Sequence, residues 1–377
     1  MEPIRMVDLK GQYEKIDNQV QTVLQEVLQS TAFINGPAVQ RFQHHLENYI
    51  GVKHVIPCAN GTDALQVALM GLGLQPGDEV ITADFTFAAT AEVIALLGLT
   101  PVLVDIDPKT FNIAVDAVAR AITPKTKAII PVHLFGQAAP MEALLQLAEE
   151  HKIFVVEDNA QGIGATYTFS DGRKQKTGTL GHVGTTSFFP SKNLGAYGDG
   201  GALFTNDDDL AHTLRGIVNH GMYQRYHHDV VGVNSRLDAM QAAILDVKLS
   251  YLDSYNEARK AAALQYNARL SGQQKIVSPF REGDCDSHVY HQYTLRLLDT
   301  DRDAVVKKME EKNIPTGVYY PIPLHAQKAY KDPRYCPEDF PVTLQMTKEV
   351  ISLPMHTELS TAQIDYICTH LIDAINS

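Results

Sequence analysis

The stretch Thr186-Ser-Phe-Phe-Pro-Ser-Lys-Asn-Leu-Gly-Ala-Tyr-Gly-Asp-Gly-Gly-Ala-Leu-Phe204 contains a single lysine, Lys192, in an unusual place. An apolar segment (186–189) precedes it, and a glycine-rich turn leads from it to a second apolar segment (202–205). A lysine buried in such a turn can lose its proton through desolvation, and its neutral amine is then a nucleophile toward carbonyls. Most lysines are solvated instead. The stretch alone is consistent with both interpretations.

On the N-terminal side of this stretch, short apolar runs alternate with segments of helical periodicity. Strands are predicted at 54–58, 79–82, 101–105, 128–132 and 153–156, and helices at 62–71, 88–97, 115–122 and 141–151. This alternation is typical of an α/β fold in which helices cover both faces of a mostly parallel sheet. Ligands of such sheets bind at the carboxyl ends of the strands. Two further helices are predicted at 13–30 and around 42–49.

On the C-terminal side, the pattern predicts a helix at 207–218 and a long helix at 237–270. Beyond residue 271 the sequence pattern changes. A smaller α+β unit is predicted there from a strand at 289–297, a helix at 301–312 and a strand at 314–319. Prolines make the following segment, 320–325, a stiff loop. We place the domain boundary inside the long helix, which gives a large domain at 1–250 and a small C-terminal domain at 251–377.

The composition predicts an ordinary soluble globular protein. The 377 residues are 45% hydrophobic and 20% charged. The formal net charge of -12 argues against nucleic acid or an anionic membrane surface as the main partner. The first residues lack a secretory apolar region, and no apolar run reaches membrane-spanning length. We therefore expect a cytoplasmic protein without a membrane segment.

The cysteines and histidines indicate neither a disulfide framework nor a metal site. Cys58, Cys285, Cys336 and Cys368 are far apart in the sequence and are predicted to be reduced structural thiols. The adjacent histidines at 227–228 have no partner at metal-ligand spacing, so no metal is expected.

Two further motifs end predicted strands with polar residues. Cys58-Ala-Asn-Gly-Thr-Asp63 turns directly into a helix, whose free N–H groups suit a phosphate, although Thr62 could equally be a plain N-cap. In Ile153-Phe-Val-Val-Glu-Asp158, a predicted buried strand ends in an acid. That aspartate can cap a turn, or it can keep an aromatic nitrogen cation protonated.

A lysine, a carboxylate and a phosphate cradle together point to pyridoxal phosphate. In this interpretation Lys192 supplies the Schiff base, Asp158 is the pyridinium partner and the turn at 61–62 holds the phosphate. Ser187 lies five residues before Lys192, where its hydroxyl could reach the same phosphate. Phe87 follows another strand and could stack on the ring, while a core aromatic is the alternative interpretation of this residue.

Five motifs in the same order resemble the DegT/StrS family of pyridoxal-phosphate sugar aminotransferases. They are CANGTDAL (58–65), DFTFAAT (84–90), VEDNAQ (156–161), SFFPSKNLGAYGDGGALFTND (187–207) and GVNSRLDAMQAAIL (232–245). The resemblance extends from residue 8 to residue 356. It implies a type I aminotransferase fold, with a large sheet domain and a smaller α+β domain. It also implies a homodimer with active sites at the subunit interface.

The resemblance implies roles for individual residues. Lys192 is the internal aldimine lysine, Asp158 pairs with the pyridine nitrogen, and Gln161 lies near the 3-hydroxyl of the ring. Phe87 takes the ring-stacking place. The residues implied to hold the phosphate are Gly61, Thr62 and Ser187, with Asn234 of the partner subunit.

The implied reaction moves an amine from a donor, glutamate in most of the family, to a keto-sugar nucleotide. Lys192 shuttles the proton, which requires a depressed pKa. The region 225–238 is similar to the branch that aminates the 3-position of nucleotide sugars, above all UDP-2-acetamido-2-deoxy-3-oxo-glucuronate for O-antigen (lipopolysaccharide) synthesis. The predicted sugar contacts are Arg236, His228, Tyr319 and Tyr320. Arg236 suits a carboxylate, but it could also bind the donor glutamate or only support Asn234.

Other functions are consistent with the same fold. A relative that aminates the 3- or 4-position of another keto-deoxy nucleotide sugar has the same cofactor chemistry. A same-fold sugar dehydratase can carry histidine at the aldimine position, so Lys192 weighs against it. A non-enzymatic sensor is disfavoured by the acidic composition and by the lack of a DNA-binding module.

Overall fold

The computed structural model describes residues 2–281 and 286–377, in which strands and helices alternate as the sequence predicts. In chain order the helices are α1 (Leu9–Glu14), α2 (Asp17–Ser30), α3 (Pro37–Ile50), α4 (Gly61–Gly71), α5 (Ala89–Leu96), α6 (Val115–Ala121), α7 (Met141–His151), α8 (Asp208–Ile217), α9 (Ala239–Leu249), α10 (Leu252–Leu270), α11 (Arg302–Glu311), α12 (Pro341–Glu349) and α13 (Thr361–Asn376). The strands are β1 (His54–Cys58), β2 (Glu79–Ala83), β3 (Thr100–Val104), β4 (Thr126–Ile130), β5 (Phe154–Asp158), β6 (Thr166–Thr168), β7 (Lys174–Lys176), β8 (Val183–Ser187), β9 (Gly201–Thr205), β10 (Met222–Gln224), β11 (His227–His228), β12 (Ile276–Val277), β13 (Tyr293–Leu297) and β14 (Val350–Leu353).

A seven-stranded sheet positions the site, with strand order β1-β9-β8-β5-β4-β2-β3. The neighbours from β8 to β3 are parallel, while β9 runs antiparallel to both of its neighbours. Val80 packs with α4, α5 and α8, whereas the next residue, Ile81, packs with α6 and α7 on the opposite face. Helices therefore cover both faces. The predicted α/β fold with a mostly parallel sheet is confirmed.

The long helix predicted at 237–270 is wrong, because the structure has two helices, α9 and α10. The Tyr251 N–H donates to the Lys248 carbonyl (3.0 Å), three residues earlier rather than four, and this bond closes α9. Ser250 and Tyr251 lie between the two helices, and Leu249 and Leu252 on either side belong to the same core cluster. Helical periodicity alone does not reveal such a break, because both halves are apolar on one face.

The strand predicted at 314–319 is also wrong. One isolated bridge, between Gly317 and Ser352, stands where a ladder was expected. Pro315 has no N–H to donate to a ladder, and Tyr319 packs against the cluster of the large sheet. The stiff loop predicted at 320–325 is present, with a short 3-10 turn at its end.

A second, smaller unit follows the sheet. β12, β13 and β14 form an antiparallel sheet, and α10, α11 and α13 pack around it in a separate core cluster. The break between α9 and α10 falls at the predicted boundary. The division into 1–250 and 251–377 stays a prediction, because Tyr320, Met346 and Val350 pack against the cluster of the large sheet.

Further properties of the described residues limit the kind of site. Within 2–281 and 286–377, no helix is long and apolar enough to cross a membrane. The same residues include no group of three or more metal-ligating side chains. Cys58, Cys336 and Cys368 are free thiols, while Cys285 lies outside the described residues.

A buried acid on β5 ties several segments together. Glu157 is fully buried, and its carboxylate accepts from the N–H groups of Gly178 (2.8 Å), Leu180 (2.6 Å) and Gly181 (2.7 Å). The same carboxylate lies 2.9 Å from His133 Nε2. The acid therefore fixes the chain on both sides of β5.

Replacing Glu157 with glutamine should lower the free energy of unfolding by about 2–4 kcal/mol, because an amide N–H₂ would face donors that now meet a carboxylate. Urea unfolding of purified protein measures the change. Glu150→Gln, on the exposed side of α7, is the control and should change it by less than about 0.5 kcal/mol. Equal unfolding midpoints for the two variants would contradict this role.

Candidate active site

Lys192 lies in the connection between β8 and β9, which is held by hydrogen bonds within it and to α10. The Lys192 N–H donates to the Phe189 carbonyl (2.8 Å), and the Ala196 N–H donates to the Phe188 carbonyl (2.8 Å). Asn193 Nδ2 donates to Asn256 Oδ1 on α10 (2.7 Å). The lysine therefore stands on a fixed backbone.

The amine of Lys192 has no hydrogen-bond or ion-pair partner among residues 2–281 and 286–377. Burial lowers the pKa of Lys192 to about 8, and attraction to the Asp158 carboxylate opposes part of this shift. A large fraction of the amine is therefore neutral near pH 8. An unpartnered amine of this kind is suited to attack a carbonyl.

Asp158 ends β5 at its carboxyl end and is buried. Thr90 Oγ1 donates to Asp158 Oδ2 (2.9 Å), and the Ala160 N–H donates to Oδ1 (3.2 Å). Burial raises the pKa of Asp158, while these two bonds and the Lys192 charge lower it. A cation placed against this carboxylate would be strongly stabilised.

The turn from β1 into α4 provides free donors. Asn60, rather than Thr62, is the N-cap, and its Oδ1 accepts from the Asp63 N–H (2.8 Å). In the described part of the chain, the N–H groups of Gly61 and Thr62 have no acceptor. A Cβ on Gly61 would lie 2.7 Å from Ser187 Cβ, so glycine is required where the two segments meet. These free donors fit a phosphate.

Aromatic and amide groups lie just beyond the carboxyl ends of β2 and β5. Phe87 is 60% exposed, so the alternative of a core aromatic is wrong and its face is available to a ring. The Phe87 and Tyr320 ring centroids are 6.4 Å apart. Tyr320 Oη accepts from Gln161 Nε2 (3.3 Å), and Gln161 Oε1 accepts from the Phe135 N–H (2.6 Å). Burial raises the pKa of Tyr320.

Three other predicted residues, Asn234, Arg236 and His228, are near the surface of the chain. Arg236 Nε donates to Asn234 Oδ1 (2.9 Å). His228 lies in the hairpin of β10 and β11, with Nδ1 2.8 Å from the His220 carbonyl oxygen. Ser235, between Asn234 and Arg236, is buried and accepts from the Ala59 N–H (3.1 Å). The side chain of Ser235 therefore connects this segment to the turn between β1 and α4.

Sequence reasoning missed Thr90 and Ser235. Thr90 stands inside the quoted motif at 84–90, but its bond to Asp158 spans 68 residues. Ser235 reaches the β1 turn across 176 residues. Neither hydroxyl has a local signal, because only the folded sheet brings each to its partner.

The residues fit pyridoxal phosphate, because a free amine, a buried carboxylate, an open aromatic face and unpartnered N–H donors all lie at or just after the carboxyl ends of β8, β5, β2 and β1. When bound, this cofactor supplies an electron sink for the carbon that loses a proton. Lys192 would hold its aldehyde carbon, Asp158 would keep its ring nitrogen protonated, and the turn at Gly61 and Thr62 would hold its phosphate. These features are those of a pyridoxal-phosphate enzyme built on an α/β sheet domain.

The chain belongs to the DegT/DnrJ/EryC1/StrS aminotransferase family, whose profile matches residues 14–372. It is 47% identical over 368 residues to the UDP-2-acetamido-2-deoxy-3-oxo-D-glucuronate aminotransferase of Pseudomonas aeruginosa, covering 98% of this chain and 99% of that one. It is 47% identical to a pleiotropic regulatory protein of Geobacillus stearothermophilus, with 97% and 96% covered. It is 43% identical to the UDP-N-acetyl-3-dehydro-alpha-D-glucosamine 3-aminotransferase of Acidithiobacillus ferrooxidans, with 97% and 96% covered.

Solved structures agree with this assignment. A family aminotransferase from Brucella abortus has a TM-score of 0.93 at 40% identity, covering 99% of this chain and 100% of that one. A Bacillus subtilis structure with the bound pyridoxamine form of the cofactor has a TM-score of 0.88 at 32% identity, with 96% and 82% covered. The predictions of aminotransferase activity and of pyridoxal phosphate as cofactor are confirmed.

Proposed function

We propose that this chain transfers an amine from glutamate to carbon 3 of UDP-2-acetamido-2-deoxy-3-oxo-glucuronate. The unpartnered amine of Lys192, beside the buried Asp158 carboxylate, carries the aminotransferase part of this proposal. The relative from Pseudomonas aeruginosa, matched over nearly the whole of both chains, supports the sugar part. The amino sugar formed would enter the O-antigen of lipopolysaccharide.

The site residues divide the work. Lys192 would take the proton from the α-carbon of the donor and, in the second half of the reaction, would deliver a proton to carbon 3 of the sugar. Its lowered pKa favours the neutral amine that accepts the first proton. Asp158 would keep the ring nitrogen of the cofactor protonated. Phe87 would stack on the ring, and Gln161 would lie near its 3-hydroxyl. Gly61, Thr62 and Ser187 would bind the phosphate.

We propose a homodimer in which Asn234 completes the phosphate site of the other copy. Because Arg236 Nε occupies Asn234 Oδ1, the amide N–H₂ is oriented away as a free donor. Exposed apolar side chains at Phe33, Ile34 and Phe189 support a surface that a second copy covers. The free cysteine thiols support a cytoplasmic location.

Arg236 orients Asn234 through Nε, and its terminal nitrogens remain available to bind the sugar. A guanidinium binds a carboxylate through two parallel bonds, as the uronate group at C6 requires. His228, Tyr319 and Tyr320 are the other proposed sugar contacts. The Arg236–Asn234 bond supports a role of Arg236 in orienting the Asn234 side chain. Binding of the sugar carboxylate would be a second role of the same arginine.

The acceptor is tested by offering glutamate with UDP-linked 2-acetamido-3-oxo sugars that carry, or lack, the C6 carboxylate, while 2-oxoglutarate is followed. We expect kcat/KM to be at least about tenfold higher for the uronate, and Arg236→Ala to remove most of this preference. Arg225→Ala, an exposed arginine in the neighbouring hairpin region, is the control.

Equal turnover of both sugars, unchanged in Arg236→Ala, would contradict the assignment to the uronate, because the C6 carboxylate would then not be recognised. Turnover of a 4-oxo sugar alone would assign the chain to the other amination position. Sizing the same preparations tests the dimer, and a monomer at working concentrations would contradict it.

A further inference from the structure

A buried acid–histidine pair joins the large sheet to the C-terminal segment. Asp84, the residue after β2, is fully buried. Its Oδ1 accepts from the His325 backbone N–H (2.7 Å), and its Oδ2 lies 2.6 Å from His325 Nδ1. With Asp84 ionised, the imidazole hydrogen lies on Nδ1. The Leu324 N–H also donates to the Asp84 carbonyl (3.1 Å), so three bonds meet at one residue.

The imidazole is held from the other side as well. His325 stacks on Phe340, with ring centroids 4.5 Å apart and an interplanar angle of 10°. Both rings are buried, and Leu324 and Phe340 belong to one apolar cluster. The orientation of His325 is therefore fixed by packing and by hydrogen bonds together.

Asp84 and His325 are each close in the chain to a residue of the proposed site. Along the chain from Asp84, Phe85 is buried and Phe87 is the open aromatic. Five residues before His325 is Tyr320, whose ring centroid lies 5.8 Å from that of Phe85. Tyr320 also bonds to Gln161. The pair thus lies where the two chain segments that supply Phe87 and Tyr320 are joined.

Burying an ionisable pair contributes little net stability compared with apolar residues of the same shape, because desolvation opposes the attraction. Such pairs are most useful where they fix one arrangement among several. The loop at 319–325 has no β-ladder of its own to fix its position. The hydrogen bonds between Asp84 and His325 are directional, so they fix the position of this loop more closely than apolar packing alone would.

We propose that Asp84 and His325 are positioning residues that fix Tyr320 beside the cofactor and so set the affinity for the sugar acceptor. The proposal rests on the proposed function, in which Tyr319 and Tyr320 contact the sugar. Neither Asp84 nor His325 is assigned a chemical step.

The test compares His325→Leu with His325→Asn. The leucine variant loses the Nδ1 donor, so we expect the KM for the keto-sugar to rise about tenfold while kcat changes less than about threefold. Asparagine can offer an amide N–H near the position of Nδ1 and should restore most of the affinity. Asp84→Asn should resemble His325→Leu.

Asp105→Asn is the matched control. Asp105 follows β3 and binds the same C-terminal segment further along, accepting from Val342 N–H (2.9 Å), Thr343 N–H (2.8 Å) and Thr343 Oγ1 (2.7 Å). It should lower thermal stability without changing the KM. A second measurement is the visible band of the lysine-bound cofactor, which should shift in His325→Leu through Tyr320 and Gln161, but not in Asp105→Asn.

An unchanged KM and band in folded His325→Leu would overturn the proposal. So would an equal change in Asp105→Asn, since loosening of the segment anywhere would then have the same effect. Wild-type protein without keto-sugar amination would instead refute the proposed function, which separates the two failures. Should His325→Leu not fold, the comparison of Asp84→Asn with His325→Asn decides the question.

Discussion

Replacing Lys192 with alanine should abolish the visible, borohydride-sensitive absorbance of protein supplied with pyridoxal phosphate and lower kcat by at least about 10⁴-fold. The amine both holds the cofactor and moves the proton, and no other described side chain can take over both tasks. Absorbance spectra before and after borohydride, with single-turnover assays, measure the two effects. A variant that retained the band would contradict the assignment.

Lys248 offers an internal comparison within the wild-type protein. It is also buried, and burial lowers its pKa to about 8, but its Nζ donates to the Gly195 carbonyl. A lowered pKa alone would let either lysine react. Because Lys248 has a hydrogen-bond partner and Lys192 has none among the described residues, mass spectrometry after borohydride should find the added pyridoxyl group on Lys192 and none on Lys248. Label on Lys248 would refute the argument from geometry.

The pH dependence of cofactor attachment follows from the same amine. Its pKa of about 8 means that the neutral fraction increases nearly tenfold per pH unit below that value and is almost constant above it. The rate at which the apoprotein acquires the visible band should follow this curve. A rate that kept rising toward pH 10 would indicate an ordinary, solvated lysine.

The parts of the fold that the sequence predicts are those with a strong local signal. The apolar run at 153–156 would expose hydrophobic side chains on the surface, so it marks a central strand and places Asp158 at the carboxyl edge. The break between α9 and α10 has no such signal, because Leu249 and Leu252 are equally apolar. Tertiary packing decides it.

The same distinction applies to the site. Lys192 and Asp158 are predictable because each is polar where the surrounding sequence is apolar. Thr90 and Ser235 are not, because a hydroxyl in a helix or a loop is ordinary until the fold brings it to a buried acceptor or donor. The Asp84–His325 pair is of the second kind, since 241 residues separate its members.

Replacing Asp158 with asparagine should lower kcat by at least about 10³-fold while the visible band of the lysine-bound cofactor persists. Lys192 still holds the cofactor in this variant, so binding and chemistry are separated. The neutral amide cannot stabilise a protonated ring nitrogen, and the ring then withdraws electrons less strongly from the carbon that loses its proton. Spectra and single-turnover rates of the same preparation measure both quantities.

Thr90→Val provides the graded control, because it leaves the carboxylate and removes only the hydroxyl that donates to it (2.9 Å). That bond lowers the pKa of Asp158, so its loss raises the pKa further and moves the acid limb of activity to higher pH. At pH values above that limb, kcat of Thr90→Val should be lower than kcat of the wild type by about tenfold at most. A loss in Thr90→Val as large as in Asp158→Asn would mean that the acid matters for packing rather than for its charge. Wild-type kcat in Asp158→Asn would remove the carboxylate from the chemistry altogether.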